Sequence, residues 1–174
     1  MKRGYTLDLY RRRADLLREV VPDIELGSDW IVGFSGETEE DFAGSERFLE
    51  EQGFLVNYVF KYDPRPSTKA DERLEDDVPE AVKKERNQRL LRAAERTQRA
   101  RFQAYRGRRV RVFAESLSER DDRVLLGRTM HGMPVSFEGG EELLGSNVSV
   151  EIDESTAYGM AGRRVTASDP EQAR

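Results

Sequence analysis

Residues 29–38 (DWIVGFSGET) constrain the fold more than any other stretch, because a short apolar run leads directly into a glycine-bearing turn and a helix start. The apolar run is typical of a strand that is buried on both faces of a parallel sheet. Gly33 and Gly36 follow at its carboxyl end, and Thr38 provides an oxygen that can cap the next helix. Ligands of α/β sheets bind at this edge. The turn is therefore a candidate ligand site, with an ordinary strand-to-helix turn as the alternative.

Helices and strands alternate through the first part of the chain. The pattern predicts a helix, a strand, a helix and a strand over residues 6–21, 24–34, 39–52 and 54–62. The short links make the strand–helix–strand part a right-handed βαβ unit. Two parallel strands leave both sheet edges and most of both faces uncovered. We therefore expect residues 1–62 to belong to a larger α/β domain whose beginning is absent.

A long helix is predicted over residues 79–104, after a proline-stiffened loop and an acidic stretch. Pro79 suits the first turn of such a helix. Its apolar stripe is thin, so we expect its cationic remainder to face water or a partner. The helix is interpreted as a connector.

From residue 108 the hydrophobic period changes to two. This pattern predicts five short antiparallel strands, over residues 108–115, 123–128, 133–137, 147–152 and 158–165. Closure of such strands into a small barrel would remove their exposed edges. The predicted fold class is an α/β segment followed by a small all-β five-stranded barrel. The predicted divisions are residues 1–78, the helix 79–104, the barrel 105–166 and a disordered tail 167–174.

The charge is unevenly distributed along the chain. The 174 residues carry a formal net charge of −5, yet residues 79–111 hold twelve Lys or Arg and three Glu, a local charge of +9. A basic segment in an acidic protein indicates a polyanionic partner, and small five-stranded barrels commonly bind nucleic acid. The candidate RNA-binding residues are Arg101, Arg106, Arg108, Arg109, Arg111 and Arg128. A solvated amphipathic helix is the alternative interpretation of residues 79–104.

Several kinds of site are excluded by residue types. The sequence contains no cysteine and one histidine, so these residues can form neither disulfides, nor thiolate-held metal sites, nor a multi-histidine metal centre. No apolar run approaches membrane-spanning length, and the N-terminus lacks a signal-peptide core, so a cytoplasmic protein is expected. His131 is interpreted as a surface turn residue. Glu37 and the acidic residues after it fit the dipole of a helix N-terminus, although a ligand role for Glu37 stays open. No catalytic or metal-binding residue is assigned.

Four motifs in a fixed order resemble the C-terminal portion of bacterial radical-SAM methylthiotransferases. They are MKRGYT, IVGFSGETEEDF, YDPRPST and VPEAVKKER, at residues 1–6, 31–42, 62–68 and 78–86. The closing barrel, with GRT at 127–129 and AYG at 157–159, resembles the TRAM domain of these enzymes, which is an RNA-binding module. The resemblance extends to about residue 165.

The resemblance implies a function in tRNA modification. Arg65-Pro66 and residues 127–129 are closer to the tRNA-modifying branch than to the ribosomal-protein branch. The implied reaction is methylthiolation at C2 of N6-isopentenyl-adenosine next to the anticodon, with S-adenosylmethionine and 4Fe-4S clusters as cofactors. Residues 1–78 would be the C-terminal part of a partial β/α barrel. The implied residues on the S-adenosylmethionine side are Ile31, Gly33, Phe34 and Glu37.

This sequence departs from the family pattern in one decisive respect. The C-x-x-x-C-x-x-C cluster motif is missing, and no cysteine can replace it. Ser35 stands where proline is usual, and Ser67 and Lys69 stand where Gly and Pro are usual. We therefore expect a truncated form that is inactive alone. The alternatives are a non-catalytic RNA-binding adaptor and a degenerate remnant without activity.

Overall fold

The computed structural model describes residues 4–166, which divide between two compact units, Met1–Gln98 and Arg99–Arg174. The predicted fold class, an α/β segment followed by a small five-stranded barrel, is confirmed. The boundaries predicted at residues 78 and 104 stay predictions, and the predicted disordered tail lies outside the described residues. None of the helices within residues 4–166 has the length and apolar character that crossing a membrane requires.

The first unit contains two parallel strands and four helices. The helices are α1 (Leu7–Val20), α2 (Glu39–Gln52), α3 (Lys69–Arg73) and α4 (Glu80–Gln103), and the strands are β1 (Gly27–Val32) and β2 (Val56–Lys61). The last residues of α4 belong to the second unit. The short helix α3 was not predicted; Thr68 caps it by accepting a hydrogen bond from the Asp71 N–H.

Helix α2 begins and ends as its sequence predicts. The Thr38 hydroxyl accepts from the Asp41 N–H while the Asp41 carboxylate accepts from the Thr38 N–H, which is a capping box. The Thr38 hydroxyl also donates to Asp41 Oδ2 at 2.7 Å, and this bond, together with the one from the Thr38 N–H, lowers the pKa of Asp41 below its usual value. Gly53 ends the helix in the left-handed conformation, with φ +60°.

One face of the β1–β2 sheet carries the core of the first unit. Strands β1 and β2 pair in register from Gly27 opposite Val56 to Val32 opposite Lys61. Val32 packs in one buried cluster with residues of α2 and α4, and Trp30 and Val59 lie against the same cluster; its other members are Phe42, Leu49, Leu90, Ala93 and Ala94.

The opposite face of this sheet is exposed. Ile31, Val56, Tyr58 and Phe60 alternate with the inward residues and are 37–60% exposed. The prediction of a strand buried on both faces is therefore wrong for the described residues. Helices cover only the Trp30 side, which leaves the uncovered face that a two-stranded sheet was expected to have.

The second unit is a closed barrel of five strands in the order β3-β4-β5-β7-β6. The strands are β3 (Arg109–Leu117), β4 (Val124–Thr129), β5 (Pro134–Glu138), β6 (Asn147–Ser155) and β7 (Met160–Arg164), with a 3₁₀ turn at Glu141–Leu143. The prediction that all strands are antiparallel is wrong, because β5 pairs with β7 in parallel. A closed ring with an odd number of strands cannot alternate in direction at every pair.

Alternate residues of each strand fill the barrel interior. Val112, Leu125, Phe137 and Val150 are at most 2% exposed. Gly127 belongs to this inward set on β4 and lies opposite Ala114, beside the bulge of β3. A Cβ atom at Gly127 would overlap the Phe113 carbonyl oxygen and the Val112 side chain. The close approach of β3 and β4 therefore requires glycine at this position.

We expect Gly127→Ala to destabilise the barrel by about 1–3 kcal/mol, because the added methyl group must push two paired strands apart. Hydrogen exchange of β3 and β4 amides measures this loss of stability. The matched control is Gly44→Ala on α2, where a Cβ would meet nothing closer than Arg47 Nη2 at 3.9 Å. This control should be neutral or slightly stabilising, because alanine favours helix. Unchanged exchange in Gly127→Ala would contradict the packing described for this position.

Candidate functional site

The turn after β1 is held to helix α4 by a buried ion pair. Gly33 has φ +73° and donates its N–H to Glu37 Oε2 at 2.7 Å. The same oxygen accepts from Arg86 Nη1 at 2.8 Å, and Arg86 Nη1 also donates to the Glu37 carbonyl at 3.0 Å. The Glu37 and Arg86 side chains are only 11% and 7% exposed. Both charges are largely removed from water. Removal of either partner would leave a buried charge unpaired and would destabilise the fold.

Lys83 makes a second buried contact beside this turn. Its Nζ lies 2.6 Å from both carboxylate oxygens of Asp76 and donates to the Tyr62 carbonyl at 3.3 Å. The ammonium is also 5.4 Å from the Tyr62 ring centroid. A side chain at Gly33 would collide with the aliphatic stem of Lys83. Glycine at position 33 thus permits both the positive φ and the close passage of Lys83.

The four predicted cofactor-binding residues are neighbours along the chain, but they face different surroundings. Ile31 lies on the exposed face of the sheet, whereas Glu37 is bonded to Arg86 on the side where α4 packs. Phe34 packs edge-on against Tyr62, with ring centroids 4.8 Å apart. Gly33 donates its N–H to Glu37. Their role in cofactor binding stays a prediction.

The residues present do not fit an iron–sulfur cluster. The 174 residues contain no cysteine, and no group of three His, Cys, Asp or Glu side chains in the described part of the chain could hold a metal ion. The strand edge also offers few free polar groups to a nucleoside, because the Gly36 N–H donates to Asp77 Oδ1 at 2.7 Å. The hydroxyl of Ser35 is buried in this turn without a hydrogen-bond partner in residues 4–166.

Several cations of the long helix α4 form ion pairs with carboxylates of the first unit. Arg89 donates to Glu39 at 2.7 Å and to Glu46 at 2.9 Å, and Arg96 donates to Glu50 at 2.6 Å. The hydrogen bond from Arg89 is the main cause that lowers the pKa of Glu39, and Glu39 in turn raises that of Arg89. The expectation that the cationic part of this helix faces water or a partner is therefore wrong for the buried Lys83 and Arg86 and for the half-buried Arg89, whereas Arg96 is 62% exposed as expected.

A sequence signal for the two buried cations existed. Lys83 and Arg86 precede Leu90 and Ala93 at helical spacing, so they continue the apolar stripe toward the start of α4. A count of charges does not reveal this buried position, because it places every cation on the surface.

Four of the predicted RNA-binding arginines are anchored to the barrel or to the segment before it. Arg106 Nε donates to the Asp153 carbonyl at 3.1 Å, and Arg108 stacks over Tyr105 with Cζ 4.8 Å from the ring centroid. Arg109 Nε lies 3.4 Å from a Glu151 carboxylate oxygen. Arg128 Nε lies 3.3 Å from Glu115. Arg101 is half-buried near the end of α4.

Arg111 and Arg128 flank an exposed aromatic ring on the outer wall of the barrel. Phe113 is 45% exposed and follows Arg111 on the same outward face of β3. Its neighbours across the sheet are Arg128 on β4 and Asn147 on β6. Arg111 is exposed and has no ion-pair or hydrogen-bonding side-chain partner within the described chain. We call these four residues the Phe113 surface; an aromatic ring between cations is typical of single-stranded nucleic acid binding.

Phe113 is not among the RNA-binding residues predicted from the sequence, because all of these were chosen for their positive charge. The alternation of β3 does contain the signal, since Arg109, Arg111 and Phe113 must share one face of a strand. Arg163, which pairs with Glu151 at 2.8 Å, was missed in the same region.

Residues 103–163 match the family model of the TRAM domain. The chain contains a TRAM domain. Its matched residues include the Phe113 surface and all of the predicted RNA-binding arginines except Arg101.

The rest of the chain extends the similarity beyond the TRAM domain. The chain is 43% identical over 152 residues, 87% of its length, to a tRNA-2-methylthio-N(6)-dimethylallyladenosine synthase of Protochlamydia amoebophila. Proteins of the same name from Chlorobium chlorochromatii and Xanthomonas euvesicatoria pv. vesicatoria are 39% and 40% identical over 93% and 94% of the chain. The chain spans about one third of the length of these relatives, 34–36%. The resemblance to the C-terminal part of such synthases is confirmed.

We expect Arg86→Met to destabilise the first unit by about 3–5 kcal/mol, because the substitution leaves the Glu37 carboxylate buried without its cation. Urea unfolding followed by the fluorescence of Trp30, the single tryptophan, measures this change in the unit that contains the pair.

The matched control is Arg89→Met on the same helix. The Arg89 side chain is 29% exposed, and its partners Glu39 and Glu46 are 62% and 23% exposed. Water can therefore solvate the carboxylates left behind better than it can solvate Glu37. The control should lower stability far less than Arg86→Met. Equal losses in the two variants would contradict a special role for the buried pair.

Proposed function

We propose that this chain is the tRNA-binding part of a methylthiotransferase that modifies C2 of N6-isopentenyl-adenosine next to the anticodon. The observation that carries the proposal is the identity of about 40% with tRNA-2-methylthio-N(6)-dimethylallyladenosine synthases over nearly the whole chain. The TRAM domain within it supports RNA as the partner. A tRNA substrate also favours the cytoplasmic location expected from the sequence.

The surface chemistry of the barrel supports the RNA-binding part of this proposal. Arg111 and Arg128 offer charge to phosphates, and Phe113 between them offers a ring on which a base can stack. Arg101, Arg106, Arg108 and Arg109 complete the proposed set of phosphate contacts. Arg89 is excluded from it, because its half-buried side chain binds two carboxylates of α2, those of Glu39 and Glu46.

The chemical step requires groups that these 174 residues lack. In the proposed reaction, clusters and S-adenosylmethionine supply the radical and sulfur chemistry, and a 4Fe-4S cluster needs thiolate ligands. No step is assigned to residues of this chain. Ile31, Gly33, Phe34 and Glu37 are proposed only to border the S-adenosylmethionine side of a complete enzyme.

A non-catalytic RNA-binding adaptor is the second candidate, and the absence of cysteine from these residues favours it. Reading the genomic DNA upstream of the codon for Met1 separates the two proposals. An in-frame continuation that carries the cysteine motif supports the enzyme. A stop codon close upstream contradicts it and leaves the adaptor or the degenerate remnant.

We expect the chain to bind tRNA with an affinity that falls steeply as salt rises, because each phosphate contact releases a counterion. Arg111→Gln should weaken binding and reduce the slope of log K against log salt by about 1. Fluorescence anisotropy with labelled tRNA at several salt concentrations measures both quantities.

The matched control for this experiment is Arg89→Gln, which removes a cation from the same basic segment but from an internal ion pair. It should leave the affinity and the salt slope nearly unchanged. Affinity that does not respond to salt, or no binding at low salt, would rule out RNA binding through this surface.

A further inference from the structure

We propose that a groove on the outer wall of the TRAM barrel binds one unstacked nucleobase of single-stranded RNA. We call it the Tyr158 groove; it has a volume of about 560 Å³ and its lining includes Leu126, Arg128, Ser136, Ser155, Tyr158 and Met160. The inference rests on the proposed function, because it specifies how a barrel that binds RNA would hold one base.

The position of the groove follows from the topology of the barrel. It lies where β5 and β7 pair in parallel, and the chain enters β7 through the turn that contains Tyr158. On the other side it is bordered by Glu115 and Ser116 at the bulge of β3. Arg128 lines the groove and also belongs to the Phe113 surface. An RNA strand that follows the Phe113 surface would therefore reach the groove without leaving the barrel wall.

Tyr158 presents an aromatic ring at the rim of this groove. Its side chain is 76% exposed. The turn is nevertheless ordered, because the Thr156 N–H donates to the Gly159 carbonyl at 2.9 Å and the Tyr158 N–H donates to Thr156 Oγ1 at 3.0 Å. The fold thus holds the backbone of the turn in place and leaves the ring exposed, so a base can stack on it.

Ser155 provides a polar group that the protein leaves unused. Its Oγ is buried and has no hydrogen-bond partner within residues 4–166. Buried hydroxyl groups are normally paired, and Ser155 lines the groove. Rotation of the Ser155 side chain toward the groove would bring this hydroxyl within reach of a base edge, which would supply the missing partner.

The charges in the lining favour a base over a phosphate. Glu115 and Glu154 both contribute to the groove. Arg128 pairs with Glu115 at 3.3 Å, so Glu154 is the carboxylate of the two that would repel a phosphate. Carboxylates can instead accept hydrogen bonds from the amino group of a base. The apolar residues Leu126 and Met160 in the same lining suit the flat face of the base. We therefore assign the groove to a base and the neighbouring Phe113 surface to the sugar–phosphate backbone and its flanking base.

The test compares two labelled RNAs that bind the full chain: a hairpin with a single-stranded loop, and a blunt duplex of the same length. Tyr158→Ala should weaken hairpin binding by roughly 5- to 150-fold, the loss that corresponds to one base–aromatic stacking contact. Duplex binding should stay within about two-fold, because its bases remain stacked on each other. Tyr158→Phe should keep most of the hairpin affinity, since the ring is retained.

The matched control is Tyr58→Ala, which removes an exposed tyrosine from the first unit; Tyr58 is 60% exposed. It should leave the binding of both RNAs unchanged. Because Tyr158 is 76% exposed, thermal unfolding of Tyr158→Ala should match that of the parent chain.

Ser155→Ala separates a role in RNA binding from a structural role, because its effects on thermal stability and on hairpin affinity should differ. Removing a buried unpaired hydroxyl should leave thermal stability unchanged or raise it, while hairpin affinity should fall by roughly 2- to 10-fold through loss of one hydrogen bond. A parallel fall in stability and affinity would contradict the proposed role of Ser155 in base binding.

The outcomes distinguish this inference from the proposed function. Suppose that the parent chain binds RNA and that Arg111→Gln weakens this binding. If Tyr158→Ala then leaves the affinity for both RNAs unchanged, or lowers both equally, the proposed base site is wrong but RNA binding by the chain stands. If the parent chain binds neither RNA at low salt, both proposals fail.

Discussion

Closure of an odd number of strands is the constraint on which the second unit depends. Five strands in a ring must include one pair that runs in the same direction, and the chain places this pair at β5 and β7. Strand β6 returns beside β3, and β7 then fills the remaining gap through the turn that carries Tyr158. The groove on the outer wall lies at this parallel junction. The topology that closes the core is therefore also the source of the proposed base site.

The basic residues of the chain serve two different purposes. Four of those on α4 bind carboxylates: Lys83 and Arg86 are buried beside the turn after β1, and Arg89 and Arg96 bind α2. Arg111 and Arg128 instead lie on the outer wall of the barrel beside an exposed phenylalanine. A count of charges cannot separate these groups, because the burial of each cation and of its partner decides whether it is available to RNA.

The sequence predicted the elements well where local chemistry decides them. Thr38 and Gly53 mark the ends of α2, and the alternation of apolar residues marks every barrel strand. The parallel pair could also have been deduced, since five strands cannot close otherwise. The buried role of Arg86 and the unpaired hydroxyl of Ser155 depend on residues distant in sequence, so local patterns could not reveal them. Motif order was more informative about function than any single site, because it drew on the whole chain.

The most direct test of the central claim, that the outer barrel wall is the RNA-binding surface, is photo-crosslinking of the full chain to tRNA that contains 4-thiouridine, followed by mass spectrometry of the crosslinked peptides. The account predicts crosslinks in peptides that carry Phe113, Arg128 and Tyr158. Crosslinks confined to the α4 peptides around Lys83, Arg86 and Arg89, with none in the barrel, would contradict it.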